Sequence, residues 1–242
     1  MIYTVTPNQS DIQEALGSFI TEVLNETDVI AGQVNRTPEP NTANFVVMWA
    51  INRVRLETNV DSSEDTLFTA SINANQMTVS AVQYGTILPG LMLFGTGVAN
   101  DTTVDSQLSG SPGGIGVYTV SPVQVLASMA MAAGYIQALQ PTEVVMQVDV
   151  HGPNSADNVQ IISTLFRDAY GVMKFNEINA NITPLFTSDP RQVPFMNAEQ
   201  QLETRWIIEA HLQVNQQVLV PQQFADVVEI DLINVDATYP EV

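Results

Sequence analysis

The chain has 242 residues, room for one domain or for one domain that carries a smaller one, and enough to bury a core without staples. Cysteine is absent, which excludes disulfides, thiolate metal sites and a cysteine nucleophile. With 7 Lys+Arg against 26 Asp+Glu the formal net charge is -19, a surface that repels phosphate and argues against a grip on nucleic acid.

The opening MIYTVTPNQS has neither the basic n-region nor the apolar run of a signal peptide. No stretch of about 18 apolar residues is present to cross a bilayer, so the expectation is a soluble chain made in the cytosol. Residues 10–24 place Ile12, Leu16, Phe19, Ile20 and Val23 at helical spacing behind a cap at Ser10 or Asp11, which predicts an amphipathic helix. Residues 28–35 read as a short strand, and the two prolines within 37–41 as a turn. Residues 45–56 carry Phe45, Val47, Trp49 and Ile51 on one face and Val46, Met48, Ala50 and Val54 on the other. Two apolar faces predict a central strand.

At Asp61 the composition changes. From there to about residue 120 there is no Lys or Arg, and Thr, Ser, Gly and Asn crowd in. Runs such as FTASIN, QMTVSAV, LMLFGTGV and VYTVS alternate with turns marked by Gly and Pro, the pattern of a small all-β module. Its Ile87, Met92 and Phe94 are expected in its own small core. Residues 121–131 are ambiguous: the alternating Val123, Val125, Ala127 and Met129 favour a continuing strand, though Ala and Met also permit a helix.

Residues 142–171 form the most fully punctuated unit. Val144, Met146, Val148 and Val150 alternate with Glu143, Gln147 and Asp149, the period of a half-buried strand. Gly152 and Pro153 stop it, Asn154 or Ser155 supplies an N-cap, and Asp157 sits in the first helical turn, where the macrodipole favours it. Val159, Ile162, Phe166 and Ala169, with Leu165 beside them, make an apolar stripe that Gly171 is expected to close at C′.

Residues 182–186 read as a short strand and 187–201 as an irregular loop. Residues 202–214 alternate cleanly: Leu202, Thr204, Trp206, Ile208, Ala210, Leu212 and Val214 against Glu203, Arg205, Glu209, His211 and Gln213. Such a strand spans about 43 Å at roughly 3.3 Å per residue, a length suited to a sheet shared between subunits. A last strand is expected over 225–235, followed by a loose tail. The expected fold class is α+β: a mostly antiparallel sheet with two helices formed by residues 1–63 and 134–242, with a small all-β domain inserted at 64–133.

No constellation for catalysis emerges, and no catalytic, cofactor-binding or metal-ligating residue is assigned. His151 lies two residues from Asp149 without a third ligand nearby in sequence, and His211 falls on a polar strand face. Gly95 and Gly97 begin a G-x-G, but Asn100 stands where a dinucleotide fingerprint needs its third glycine. Arg53 and Arg55 share one strand face and Arg167 lies on the polar face of a helix. In a chain so poor in cations these are expected to pair with carboxylates, within the fold or across a subunit boundary.

Several segments, taken in order, resemble the neck or tail terminator family of tailed bacteriophages. They are FVVMWAINRVRLETNVD at 45–61, QPTEVVMQVDVHGPNSADNVQIISTLFRDAYG at 140–171, DPRQVPFMNAEQQLETRW at 189–206, and HLQVN with PQQFADVVEIDLINVDATYP toward the end. Residues 77–121 resemble a small β module of phage structural proteins. The resemblance implies a non-enzymatic virion protein, present in the host cytoplasm during assembly. It would form a homo-oligomeric ring, usually a hexamer, that terminates the tail tube, and the sheath if the tail contracts. That ring would join the neck and head-completion connector proteins, with genomic DNA passing through unbound and no membrane involved. Asp189, Arg191, Phe195, Arg53 and Arg55 are the subunit-interface candidates.

Other readings stay open: a different neck, collar or baseplate ring, a receptor- or carbohydrate-binding accessory that uses the β insert, or a hydrolase with a buried carboxylate pair. Exposed aromatics in the insert, drawn from Phe68, Tyr84, Phe94 and Tyr118, would mark the second of these.

Overall fold

A computed structural model describes residues 4–24, 27–33, 40, 42–196 and 202–222. In chain order its elements begin with β1 (Thr4–Thr6), α1 (Gln9–Val23), β2 (Asp28–Ala31) and β3 (Phe45–Arg55). Next come β4 (Val60–Tyr84), β5 (Thr103–Gly110), β6 (Gly116–His151), α2 (Ser155–Phe166) and α3 (Ala169–Ile178). The order closes with β7 (Ile182–Thr187), β8 (Arg191–Gln192), β9 (Phe195–Met196), β10 (Leu202–Glu203) and β11 (Arg205–Pro221). The chain divides into two compact units, one made of Thr4–Ser62 and Gln137–Leu219, the other centred on Ser63–Ile136. The strand expected over 225–235, the turn over 37–41 and the end of the strand expected over 28–35 lie outside the described residues.

In the first unit the sheet runs β1-β11-β6-β3-β2, with β7 and β8 also paired to β11. It is mixed: β2 is parallel to β3, while β3–β6, β1–β11, β7–β11 and β8–β11 are antiparallel. Alternation along β6 buries Val144, Met146, Val148 and Val150, and the same period along β11 buries Ile208, Ala210, Leu212 and Val214. One cluster joins these to Ile12, Leu16, Phe19 and Ile20 of α1, Val159, Ile162 and Phe166 of α2, and Phe175 of α3. At its centre Phe19, Phe166 and Phe175 meet with ring centroids 5.2–5.8 Å apart, two of the three contacts edge-on.

The helical layer corrects the sequence in three places. There are three helices among the described residues, not two, because the stripe over 155–171 breaks at Arg167 and α3 starts at Ala169. Asp168 caps α3, accepting from the Tyr170 N–H at 2.9 Å. Gly171 therefore lies inside α3 rather than ending α2, and its missing side chain is needed there: a Cβ would sit 2.6 Å from the Leu165 carbonyl oxygen. The cap of α1 is Asn8, two residues before Ser10 and three before Asp11. Its side chain accepts from the N–H groups of Ser10 and Asp11, and Asp11 returns a bond from the Asn8 N–H, a complete capping box. β11 also outlasts the expected strand: it runs to Pro221 because β1 pairs with Gln217, Val218 and Leu219.

The second unit has a core of its own: Phe68, Ile72, Met77, Val79, Ile87, Leu91, Leu93, Tyr118, Val120 and Met131 among others. FTASIN and QMTVSAV are the two arms of β4, which turns back near Ala74 (φ +56), so that Ser80 donates to the Thr69 carbonyl and Thr66 bonds both Thr86 backbone groups. LMLFGTGV does not form a strand. It contributes single bridges, Met92 to Thr103 and Phe94 to Ala132. Residues 121–131 are strand, part of a 36-residue β6 that runs on through Pro141. Phe68 and Tyr118 are fully buried, Met92 is buried, and Phe94 is half-buried, which leaves Tyr84 as the exposed aromatic of the four.

Phe166 makes edge contacts with both other rings of the first unit and is fully buried. Phe166→Ala is expected to lower the unfolding free energy by about 3–5 kcal/mol. Denaturant titration followed by helical circular dichroism measures this directly.

Candidate functional site

Burying the even-numbered residues of β6 under the helices sends Glu143, Gln147, Asp149 and His151 to the opposite face of the sheet. From β11 the residues that alternate with its buried set, Arg205, Glu209, His211 and Gln213, join them. The result is a row of paired charges on a helix-free face. Asp149, almost wholly buried, meets Arg205 at 2.8 Å and accepts from the Gln147 amide at 2.8 Å. His151 Nδ1 lies 3.3 Å from Glu203, and its ring stacks on Phe45 at 4.4 Å. His211 Nδ1 pairs with Glu143 at 2.5 Å while its ring stacks on Phe186 at 4.1 Å. Arg191 of β8 reaches Glu209 at 3.9 Å, a loose, exposed contact.

Asp149 and His151 thus share a side, as their spacing requires, but Arg205 and Glu203 engage them. Among the described residues no group of three or more His, Cys, Asp or Glu is placed to hold a metal ion. Burial pushes the His151 pKa below the usual 6.5, helped by Arg205, while Glu203 and Asp149 pull it upward. What the arrangement does chemically is hold charge in matched pairs.

The five interface candidates fall into two groups. Asp189 is exposed and lines a cleft of about 390 Å³ with Gln160, Ser163, Thr164 and Arg167 of α2 and its end. Arg191 sits in β8 opposite Ile207, and Phe195 begins β9 opposite Glu203 of β10. Arg53 and Arg55 lie on β3, separated from that group by β6 and β11. Their register against Val144 and Thr142 puts both on one face, as their spacing requires. Among the described residues of the same chain, their hydrogen-bond partners are amide oxygens. Arg53 donates to Gln216 at 3.0 Å and to Gln9 at 2.6 Å, and Arg55 donates to Asn59 at 2.5 Å. Arg167 likewise donates to the Thr187 carbonyl. Neutral oxygens within reach satisfy these planar donors, so the guanidinium charge of the two exposed arginines is left unneutralised by these bonds.

β3 is central for only part of its length. β2 covers Phe45–Met48, and beyond that, among the described residues, no strand pairs on that side. Ile51, Val54 and Leu56 are exposed there, which residue type and alternation alone placed inside. The Asp149–Arg205 and His151–Glu203 pairs also escaped sequence reasoning, because each joins residues more than fifty positions apart.

His151 supplies a pH test. A folded-state pKa below 6.5 means that the unfolded chain takes up the proton first, so this contribution to stability is intact above pH 6.5 and is lost as pH falls from there toward the folded-state value. His151→Gln is expected to flatten the decline in unfolding free energy across that window, by at most about 1.4 kcal/mol per pH unit. Parallel denaturant titrations of the two chains at a series of pH values measure the difference, since His211 is common to both.

A model of a protein family described as phage neck terminator protein matches residues 104–239, more than half of the chain, from the start of β5 through β6, α2, α3 and β11. Among curated proteins none matches. The charge pairs between β6, β10 and β11 fall within the matched span. The chain belongs to the phage neck terminator protein family, whose members are structural proteins of the virion neck.

Proposed function

We propose that the protein assembles as a ring, with six copies as the expected number, at the head-proximal end of a phage tail. There it terminates the tail tube, and the sheath where one exists, and joins the tube to the connector proteins of the neck and head. The observation that carries this reading is the family match over residues 104–239. The net charge of -19 supports the further point that DNA slides through the bore without adhering, since a surface of that sign repels phosphate and does not displace the counterions condensed on DNA. The half-uncovered β3 supports closure by neighbouring copies, because an exposed strand edge is a template for pairing. Arg191 lies in β8, separated from β3 by β11 and β6, and with Asp189 and Phe195 it is proposed as the second contact. A head-to-tail ring needs two such unlike surfaces.

Residues 64–133 are proposed as an accessory module carried by this core. Its separate hydrophobic cluster supports independent folding, although the family match already begins at residue 104, inside it. Replacing residues 66–131 by a short linker is expected to leave a soluble core with its helical signal. An insoluble product without that signal would refute the modular reading.

Two experiments address the ring. Added to purified tail tubes, the protein is expected to cap one end and stop further polymerisation, visible as a fixed tube length in electron micrographs; tubes that keep growing would contradict termination. Arg191→Ala and Phe195→Ala are each expected to weaken assembly about tenfold, as truncated interface anchors do. Unchanged ring mass on dilution would remove these residues from the interface.

A further inference from the structure

The end of α2 and the end of β7 pack side by side and frame the polar cleft of about 390 Å³. Strand register decides what lines it. Thr187 stands opposite Ala210, which is buried beneath the helices, so its side chain is sent to the helix side of the sheet, where α2 lies. Thr187 is 1% exposed, and among the described residues its Oγ1 has no hydrogen-bond partner. A buried hydroxyl in that condition costs stability until an acceptor meets it. Turning it toward the cleft takes one rotamer step about Cα–Cβ and breaks no hydrogen bond.

The other groups of the cleft are also set to donate. Arg167 is exposed and donates to the Thr187 carbonyl, a neutral oxygen that holds the guanidinium in place and leaves its charge. The ion pairs among the described residues do not include it. Ser188 Oγ accepts from the Glu209 N–H at 2.9 Å, and Thr164 Oγ1 accepts from the Gln160 amide at 3.0 Å, so each hydroxyl keeps its own hydrogen to give. Three hydroxyls and a guanidinium call for an anionic acceptor, and a planar carboxylate fits the guanidinium fork. Asp189, which also lines the cleft, opposes a phosphate dianion more strongly than a single carboxylate. With 26 Asp+Glu against 7 Lys+Arg, the charge that another copy brings is mainly carboxylate.

We infer that this cleft receives an Asp or Glu side chain of the neighbouring copy, paired with Arg167 and hydrogen-bonded by the hydroxyls of Thr164, Thr187 and Ser188. This rests on the ring reading above and gives the contact proposed around Asp189 and Arg191 its pocket. The hydroxyl that is a local cost within one copy becomes part of the attraction between two.

Two measurements test it. Arg167→Lys keeps the charge and places a primary amine in the cleft of a chain whose one lysine is Lys174. Treated with a water-soluble carbodiimide, the assembled variant is expected to give covalent multimers that the unaltered chain does not give, with position 167 joined to an Asp or Glu of another copy in the linked peptides. Linkage only within one copy, or none, would overturn the inference. Arg167→Gln and Thr187→Val are each expected to weaken assembly about tenfold by light scattering, with circular dichroism unchanged. Thr187→Val is also expected to raise the denaturant midpoint of the single copy, because it removes an unsatisfied buried hydroxyl. Unchanged assembly in either variant would overturn the inference, and so would weaker assembly of Thr187→Val with a lowered midpoint, which assigns the loss to the fold. A full-length chain that stays single at every concentration would overturn the ring reading itself, and this pocket with it.

Discussion

The first unit depends on one constraint, the burial of Val144, Met146, Val148 and Val150 on a single side of β6 beneath three helices. A strand has only two sides, so this choice forces Glu143, Gln147, Asp149 and His151 onto the other. Charges placed there, partly away from water, have to be matched or they destabilise the fold. β11 and the short strand before it do the matching, through Arg205 for Asp149, Glu203 for His151 and His211 for Glu143. Sheet register and ion pairing are therefore the same fact. A one-residue slip of β11 would place Ile208 and Leu212 on the charged face and leave Asp149 without Arg205.

The cations show how the chain divides its few positive charges. Arg205 and Lys174 are spent inside the copy, the first on Asp149 and the second on Glu22 and Glu177 at 3.3 Å each. Among the described residues Arg53 and Arg55 bond amide oxygens instead. In a protein of net charge -19, two adjacent exposed cations on an open strand are a local exception to the prevailing repulsion. In the proposed ring, copies that otherwise repel one another would gain attraction at that place, which favours a defined contact over indiscriminate clumping.

Much of this was legible in the sequence where one period dominated. The alternation along 142–151 and 202–214 gave the two principal strands, with the correct buried side from Trp206 on but not for Leu202 and Thr204, which are exposed, and the stripe Ile12, Leu16, Phe19, Ile20 gave α1. Errors came where two local signals competed. Ala169 continues the spacing of α2, and only the capping bond of Asp168 and the packing of Gly171 against Leu165 reveal a new helix. Over residues 121–131 alternation favours strand while Ala and Met also permit a helix, and the structure has them as strand within β6. The edge of β3 was the least legible part. Ile51 and Val54 have the composition of core residues, and nothing local distinguishes an apolar side chain facing the interior from one at an edge without a neighbouring strand.

The central claim is that copies of this chain complete one another's sheets around a common axis. The mass of the purified protein in solution, followed over a wide range of concentration, tests it most directly. A closed ring predicts one dominant species at a whole-number multiple of 26.4 kDa, six being the expected number, that persists on dilution. A particle of 26.4 kDa at every concentration would contradict it.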